Sequence, residues 1–417
     1  MLLPLLAATC IAAPSAQPLA APPMPATLSR VTCGHGRLSW FEGSFDEAAA
    51  NASAQRRILF VDFWTEWCGY CKQLDREAFS CDEVVGEMAE LVCLSVDAES
   101  ERGAALAERY GVKAFPTLLF FSPDGQPRDA IRGYVPAGEF QAEVRRIKDD
   151  RGTIGDLRRR IGATPDDLEG RFELIGKLRA FQETEAAERQ LSDLERLVRD
   201  GRGFEADDVH SRWKLYRRLL PLGMHELARE QVAAIRRLDP EGSSLPMHCL
   251  ALDELDESID GIEGIARLEA FLAVEPYAEV RFDGWWRVYG RYDRAAKKTR
   301  DVMVAAEARR ESRRVSVFLW KDTPDDLRAR VGNQIAWGFY MATPELTEHE
   351  RRWVLEVAEK AMEASGGDVN VIDTYACCLF INGHLPEALQ QVDRCIELDP
   401  ENEVWRKRRR EFSEQGG

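Results

Sequence analysis

The 417-residue sequence predicts an α/β domain over residues 30–150, followed by an all-α helical-repeat domain over 151–417. Three observations carry that prediction. A Cys-x-x-Cys, Cys68-Gly69-Tyr70-Cys71, stands between an apolar run of strand length and a helix-like stretch. A proline, Pro116, heads another apolar run, Thr117-Leu118-Leu119-Phe120-Phe121. Beyond residue 150 strand alternation stops, and helical periodicity takes over, closed at intervals by Leu-Asp-Pro or Val-Glu-Pro.

Ile58-Leu59-Phe60-Val61-Asp62-Phe63-Trp64 is apolar except for one acid, so it reads as a buried strand. Gln73-Leu74-Asp75-Arg76-Glu77-Ala78-Phe79 reads as the opening turns of a helix. A Cys-x-x-Cys at such a junction sets its first sulfur where helix N-terminal N–H groups and the dipole favour a thiolate. The sulfurs lie one helical turn apart and can close and reopen a small disulfide ring, which is redox chemistry. The motif is also half of a zinc site, but a zinc site needs a second Cys/His pair at comparable spacing. Cys81 and Cys93 are not so spaced, and His35 lies far upstream.

Val92–Asp97 reads as a second strand and residues 106–110 as a helical segment. Gly111 opens a turn into the Pro116-led strand, and a proline there points to a cis X-Pro bond. Ser122-Pro123-Asp124-Gly125 signals a turn into a short fourth strand ending near Gly133, and residues 138–147 form a final helix.

This order of elements resembles the thioredoxin fold, an α/β architecture with a central mixed sheet flanked by helices. The likeness covers roughly residues 36–148. Val61-Asp62-Phe63-Trp64-Thr65-Glu66-Trp67-Cys68-Gly69-Tyr70-Cys71-Lys72 follows the thioredoxin active-site segment nearly residue for residue. Phe115-Pro116-Thr117 falls on the family's cis-proline motif. The Leu38-Ser39-Trp40 opening and the longer Phe79-Ser80-Cys81-Asp82 connection resemble exported thioredoxin-like proteins and the C-terminal domain of the periplasm's membrane electron transporter.

The resemblance implies a thiol–disulfide oxidoreductase acting on protein disulfides. Cys68 would be the attacking thiol, Cys71 the resolving thiol and Asp62 the buried acid that relays protons to Cys71. A carboxylate within an apolar strand is expected to have a raised pKa. Trp67, Gly69, Tyr70, Phe115 and Pro116 would form the substrate groove, where an extended peptide pairs with backbone groups. No bound cofactor and no metal are implied; electrons would come from a partner protein.

Two departures matter. Tyr70 stands where thioredoxin has proline, so Gly-Tyr looks more like the envelope's disulfide isomerases and points to a less reducing couple. Cys93 stands where thioredoxin usually has a lysine near the buried acid. The direction of electron flow stays open between reduction, isomerisation and oxidation. A protein-binding scaffold whose thioredoxin-like module only recognises peptides is the competing reading. The intact dithiol with Asp62 and Pro116 disfavours it.

Residues 1–29 carry no charged side chain, eight alanines and six prolines. Residues 2–13 make a plausible apolar core for an export signal, and Leu19-Ala20-Ala21 a small-residue cleavage site, although a basic start is missing. An exported, periplasmic protein is therefore expected, or a cytoplasmic one if Met24 is the true start. Ala7-Ala8-Thr9-Cys10 is a poor lipidation box. A chain of this length does not need its ten cysteines as a scaffold; Cys33 and Cys81 are either an accessory bridge or two free thiols.

In the second domain Leu238-Asp239-Pro240, Val274-Glu275-Pro276 and Leu398-Asp399-Pro400 each close an amphipathic helix, and the first two prolines are 36 residues apart. Ala376, Gly383, Ala388, Cys395 and Pro400 fall where the tetratricopeptide repeat places its small residues and closing proline. Residues 213–240, with Gly223 at the turn, read likewise. Residues 333–339 and 353–364 form another pair and 166–199 a weaker one. The resemblance implies stacked helix pairs with a continuous core, Cys395 as a core residue, and a protein partner bound on the array. Trp285, Trp286 and Tyr289 read as core aromatics, and Arg158-Arg159-Arg160 as a solvated helix face. A net charge of −16 disfavours nucleic acid or an anionic membrane as partner. No later run is apolar and long enough to span a bilayer.

Overall fold

The computed structural model describes residues 36–400 and 402–415. The signal-like segment 1–29, Cys10 and Cys33 lie outside the described residues. The chain divides into two compact units between Val232 and Ala233.

In the first unit, Ser44 caps α1 (Phe45–Gln55): its hydroxyl accepts from the Glu47 amide while the Glu47 carboxylate accepts from the Ser44 amide. The sequence reading contains no helix here, although Ser44-x-x-Glu47 is the signal for one. A four-stranded mixed sheet follows, in the order β2-β1-β3-β4. Its strands are β1 (Leu59–Trp64), β2 (Val92–Asp97), β3 (Thr117–Phe121) and β4 (Pro127–Arg132). β1 runs parallel to β2 and antiparallel to β3, and β4 is antiparallel to β3. The 38–40 opening supplies only an isolated bridge from Trp40 to Cys93.

Side chains alternate across β1. Leu59, Val61 and Phe63 face α1 and α4 (Glu101–Arg109); Phe60 faces α2 (Gly69–Glu77), α3 (Asp82–Met88) and α5 (Ala137–Lys148). The thioredoxin-like architecture is therefore present, with α1 and α3 added to the elements read from the sequence.

The join read near residues 149–153 does not coincide with a break in packing. Ile154, Leu157 and Ile161 of α6 (Ile154–Ala163) belong to the same core as Leu59 and Phe63. So do Leu174 and Leu178 of α7 (Leu168–Ala180), Phe181, and Ala187 of α8 (Thr184–Arg199). Phe181 packs edge-on against Phe121 with ring centres 5.6 Å apart. The physical reason lies in side-chain size. α1 and α4 bury alanines against the sheet, Ala48, Ala52 and Ala107. Larger side chains from α6 and α7 complete the cover over Leu59, Phe63 and Phe121, because interiors are close-packed. A second cluster in this unit joins α7 and α8 to α9 (Val209–Leu219) and the start of α10 (His225–Leu238), with Gly223 at φ 80° in the turn.

The second unit is helical throughout its described length. It comprises the end of α10, α11 (Leu245–Glu257), α12 (Ile265–Val274), α13 (Ala278–Lys298), α14 (Val302–Lys321), α15 (Arg328–Tyr340), α16 (Glu348–Ala364), α17 (Val369–Ile381), α18 (Leu385–Leu398) and α19 (Glu403–Gln415). The pairs expected at 333–364 and around Gly383 are α15–α16 and α17–α18. Ala376, Ala388 and Cys395 are fully buried, as expected of small residues between close helices. Gly332 shows the closeness: a Cβ there would stand 2.7 Å from that of Ala361. Trp285 and Tyr289 are core residues, and Trp285 stacks on Phe318 at 4.8 Å. Burial pushes the Cys378 and Cys395 thiols up to about 12, so neither is a nucleophile at neutral pH. Among the described residues no helix is long and apolar enough to cross a membrane.

Candidate active site

β1 ends at Trp64, and the chain turns through Thr65-Glu66-Trp67 into α2, so the strand delivers the cysteines to the first turn of that helix. Cys68 is the N-cap residue. Its Sγ accepts the Cys71 amide N–H at 3.0 Å, one of the donors a helix start leaves unpaired. Cys68 and Cys71 are joined by a disulfide, with Cα atoms 5.3 Å apart. They are 4 % and 6 % exposed, packed with Trp64 and Phe115, so a reacting partner must approach along the surface above them. The Trp64 indole donates to Ser95 Oγ at 2.8 Å, which holds the floor of this cluster.

Two aromatic pairs flank the disulfide. Trp67, 68 % exposed, packs edge-on against Phe115 at 5.9 Å and donates from its indole N–H to Glu99 Oε1 at 2.9 Å. Tyr70, 63 % exposed, stacks on Tyr134 at 6.4 Å, and the Tyr134 hydroxyl donates to Glu77. The Phe115–Pro116 peptide bond is cis, as read from the sequence. The Gly133 amide donates to the Pro116 carbonyl at 2.8 Å, tying the cis-proline loop to the end of β4. A Cβ on Gly69 would meet nothing within 4 Å, so packing does not demand glycine there.

Asp62 lies in β1 between Ser95 and Leu118, on the sheet face that α2 covers. It is 3 % exposed, and its Oδ1 is buried without a hydrogen-bond partner among the described residues. Burial first, and the carboxylate of Asp75 second, push the Asp62 pKa well above the ordinary aspartate range. Asp75 sits one helical turn beyond Cys71 on α2, and burial raises it to about 7, against a smaller opposing pull from Arg76. The sequence reading does not single out Asp75. Its i+4 spacing from Cys71 is the signal that finds it, since that spacing shares a helix face. Tyr134 and Glu99 carried no such signal, because only the fold brings them to the rim. Cys93 stands opposite Phe60, two residues from Ser95, and burial pushes its thiol up to about 12.

Residues 45–148 match the family model of a thioredoxin-like domain. Among curated relatives, thiol:disulfide interchange protein DsbD of Tatumella citrea is 34 % identical over 101 residues, 23 % of this chain and 18 % of that protein. The Yersinia enterocolitica protein of the same name is 31 % identical over 103 residues, 24 % of this chain and 18 % of its own length. The chain thus spans about 18 % of the length of these relatives. Among solved structures, a thioredoxin from Thermus thermophilus is 32 % identical with a TM-score of 0.25, covering 27 % of this chain and 87 % of its own. A putative disulphide-isomerase from Bacteroides thetaiotaomicron is 34 % identical with a TM-score of 0.25, covering 28 % and 96 %. With the family match, the sheet order and the Cys68–Cys71 disulfide ahead of α2, residues 45–148 of this chain are a thioredoxin-like domain.

Proposed function

We propose that this chain is a thiol–disulfide oxidoreductase that reduces or isomerises disulfides of client proteins. The observation that carries the reading is the Cys68–Cys71 disulfide at the N-terminus of α2, beside the cis Phe115–Pro116 loop and two exposed aromatic side chains. The DsbD relatives are named for disulfide interchange, which supports the same chemistry.

In the reductive direction, the Cys68 thiolate attacks one sulfur of a client disulfide. The client S–S bond breaks, a mixed disulfide forms, and one client thiolate leaves. Cys71 then attacks Cys68 Sγ, forming the intramolecular disulfide and expelling the second client thiolate. Two electrons pass from the cysteine pair to the client, and a partner dithiol restores the pair. Cys71 must lose its proton for the second attack, and Asp62 is the acceptor on the sheet face beneath α2. Trp67, Gly69, Tyr70, Phe115 and Pro116 form the groove over the nearly buried sulfurs. The helical region, read as a tetratricopeptide-like array, would hold a protein partner and raise its concentration near the thiols. The apolar, uncharged composition of residues 1–29 supports an exported, periplasmic reading, with a cytoplasmic one the alternative if Met24 is the true start.

The test is turnover of insulin disulfides by the full chain with dithiothreitol as electron source. Cys68→Ser should abolish it, and Cys71→Ser should trap mixed disulfides with clients. Turnover that survives Cys68→Ser would sink the proposal.

A further inference from the structure

The α7–α8 turn reaches the loop that carries Phe115 and Pro116. Gln182 in that turn adopts φ 58°, a left-handed conformation unfavourable for a side-chain-bearing residue. Its side-chain amide Nε2 donates to the Glu108 carbonyl at 3.2 Å, at the C-terminal end of α4. Gly111, at φ 61°, leaves the room for this: a Cβ there would stand 2.3 Å from Gln182 Nε2. Beside it, Phe181 packs on Phe121, and Tyr110 packs on the same ring at 5.1 Å. Tyr110, Val112 and Phe115 all pack on the core cluster that contains Leu178 and Phe181.

The other flank of the cis-proline loop is held from the same place. Arg132 at the end of β4 pairs in register with Thr117, and its guanidinium donates to the Ala180 carbonyl at 3.1 Å. Gly133, the next residue, donates to the Pro116 carbonyl. Both approaches to Pro116, through residues 108–115 and through 132–133, are therefore fastened to residues 178–182 at the end of α7. A left-handed non-glycine residue, a glycine slot cut for its side chain and two anchor points converge on one loop.

We propose that Gln182 is a positioning residue for the substrate groove: the α7–α8 turn sets the place of the Phe115–Pro116 wall against which a client peptide lies. The inference rests on the oxidoreductase reading above. It makes a distinct claim, that a helix pair beyond the thioredoxin-like domain governs recognition of protein clients and leaves the sulfur chemistry alone. Gln182 is far in sequence from the cysteines and contacts neither, so its loss should weaken peptide binding and not thiolate attack.

The experiment compares two disulfides on the full chain, insulin and the small aromatic disulfide 5,5′-dithiobis(2-nitrobenzoate), which needs no groove. Gln182→Gly removes the amide and suits the left-handed turn; Gln182→Asn also tolerates that conformation but is one methylene too short to reach Glu108. For both variants KM for insulin should rise about five-fold, the worth of one lost hydrogen bond. kcat, the rate with the small disulfide and the midpoint potential should stay at wild-type values. An unchanged KM for insulin, or equal losses with both disulfides, would overturn the positioning role. A wild-type chain that reduces neither disulfide would instead overturn the oxidoreductase reading, and the positioning role with it.

Discussion

Lys177 Nζ on α7 lies 2.6 Å from Oδ1 of Asp129 on β4, and Arg146 of α5 holds the other oxygen at 2.8 Å. Asp129 is 1 % exposed, and both its carboxylate oxygens are paired with these two cations. One cation lies inside the thioredoxin-like domain and the other beyond it. Loss of Lys177 leaves Asp129 with Arg146 as its remaining cation. Truncation at residue 150 removes Lys177 and bares the side chains covered by Leu174, Leu178 and Phe181. A 30–150 fragment should therefore be less stable than a 30–240 fragment by several kcal/mol, at about 1.5–3 kcal/mol per large apolar side chain uncovered, and should bind a hydrophobic dye. Urea unfolding of the two fragments checks this; equal midpoints and slopes would restore the boundary read from the sequence.

Asp62 gives a pH-dependent prediction. Its folded-state pKa lies above the unfolded value, so the folded chain keeps a proton that the unfolded chain has released. The stability this proton confers is complete below the unfolded pKa and is lost as pH rises toward the raised value. Asp75, raised from 3.8 to about 7, gives the window in which its own part fades. Asp62→Asn should then match wild type in stability near pH 3.5 and exceed it at pH 7–8, read by thermal melts across that range. The same variant should slow resolution of the mixed disulfide by about 10²-fold, the lower end of general acid–base contributions, and spare the first attack. Rapid mixing at several pH values separates the steps; unchanged resolution would remove the relay role.

Tyr70 occupies the position of thioredoxin's proline and stacks on Tyr134. The Cys68/Cys71 couple should titrate above thioredoxin's value of about −270 mV in glutathione buffers. Tyr70→Pro should lower the midpoint by on the order of 30 mV, a tenfold change in the equilibrium constant of a two-electron couple. A wild-type midpoint at or below that of thioredoxin would contradict the isomerase-like reading of Gly-Tyr.

In the helical unit, Arg408 of α19 donates from two nitrogens to both oxygens of Asp373 on α17, each at 3.0 Å. Burial raises the Asp373 pKa despite the guanidinium, so the pair is expensive to bury and more expensive to break. Arg408→Ala should cost about 3–5 kcal/mol by leaving Asp373 alone in the core. Loss of helical circular dichroism in urea measures it, and a shift under about 1 kcal/mol would show that solvent replaces the arginine.

Much of this protein was legible in its sequence because the relevant signals are local. Nearly unbroken apolar runs mark β1 and β3, Cys68 and Cys71 are set by a three-residue spacing, and Pro116 reports its own backbone. The small residues at 376, 388 and 395 mark close helix pairs for the same reason, since each constraint acts within one turn or one repeat. What only the tertiary structure decided are relations between distant segments. That α6–α8 complete the sheet's cover follows from the alanine faces of α1 and α4, which no local window reveals. Asp129 drawing a cation from residue 177, Tyr134 reaching Tyr70, and Gln182 reaching Glu108 arise from packing across dozens of residues. Local pattern determines which elements form and where the sulfurs sit on them; the shared burial of their faces decides which far residues come to hold the groove.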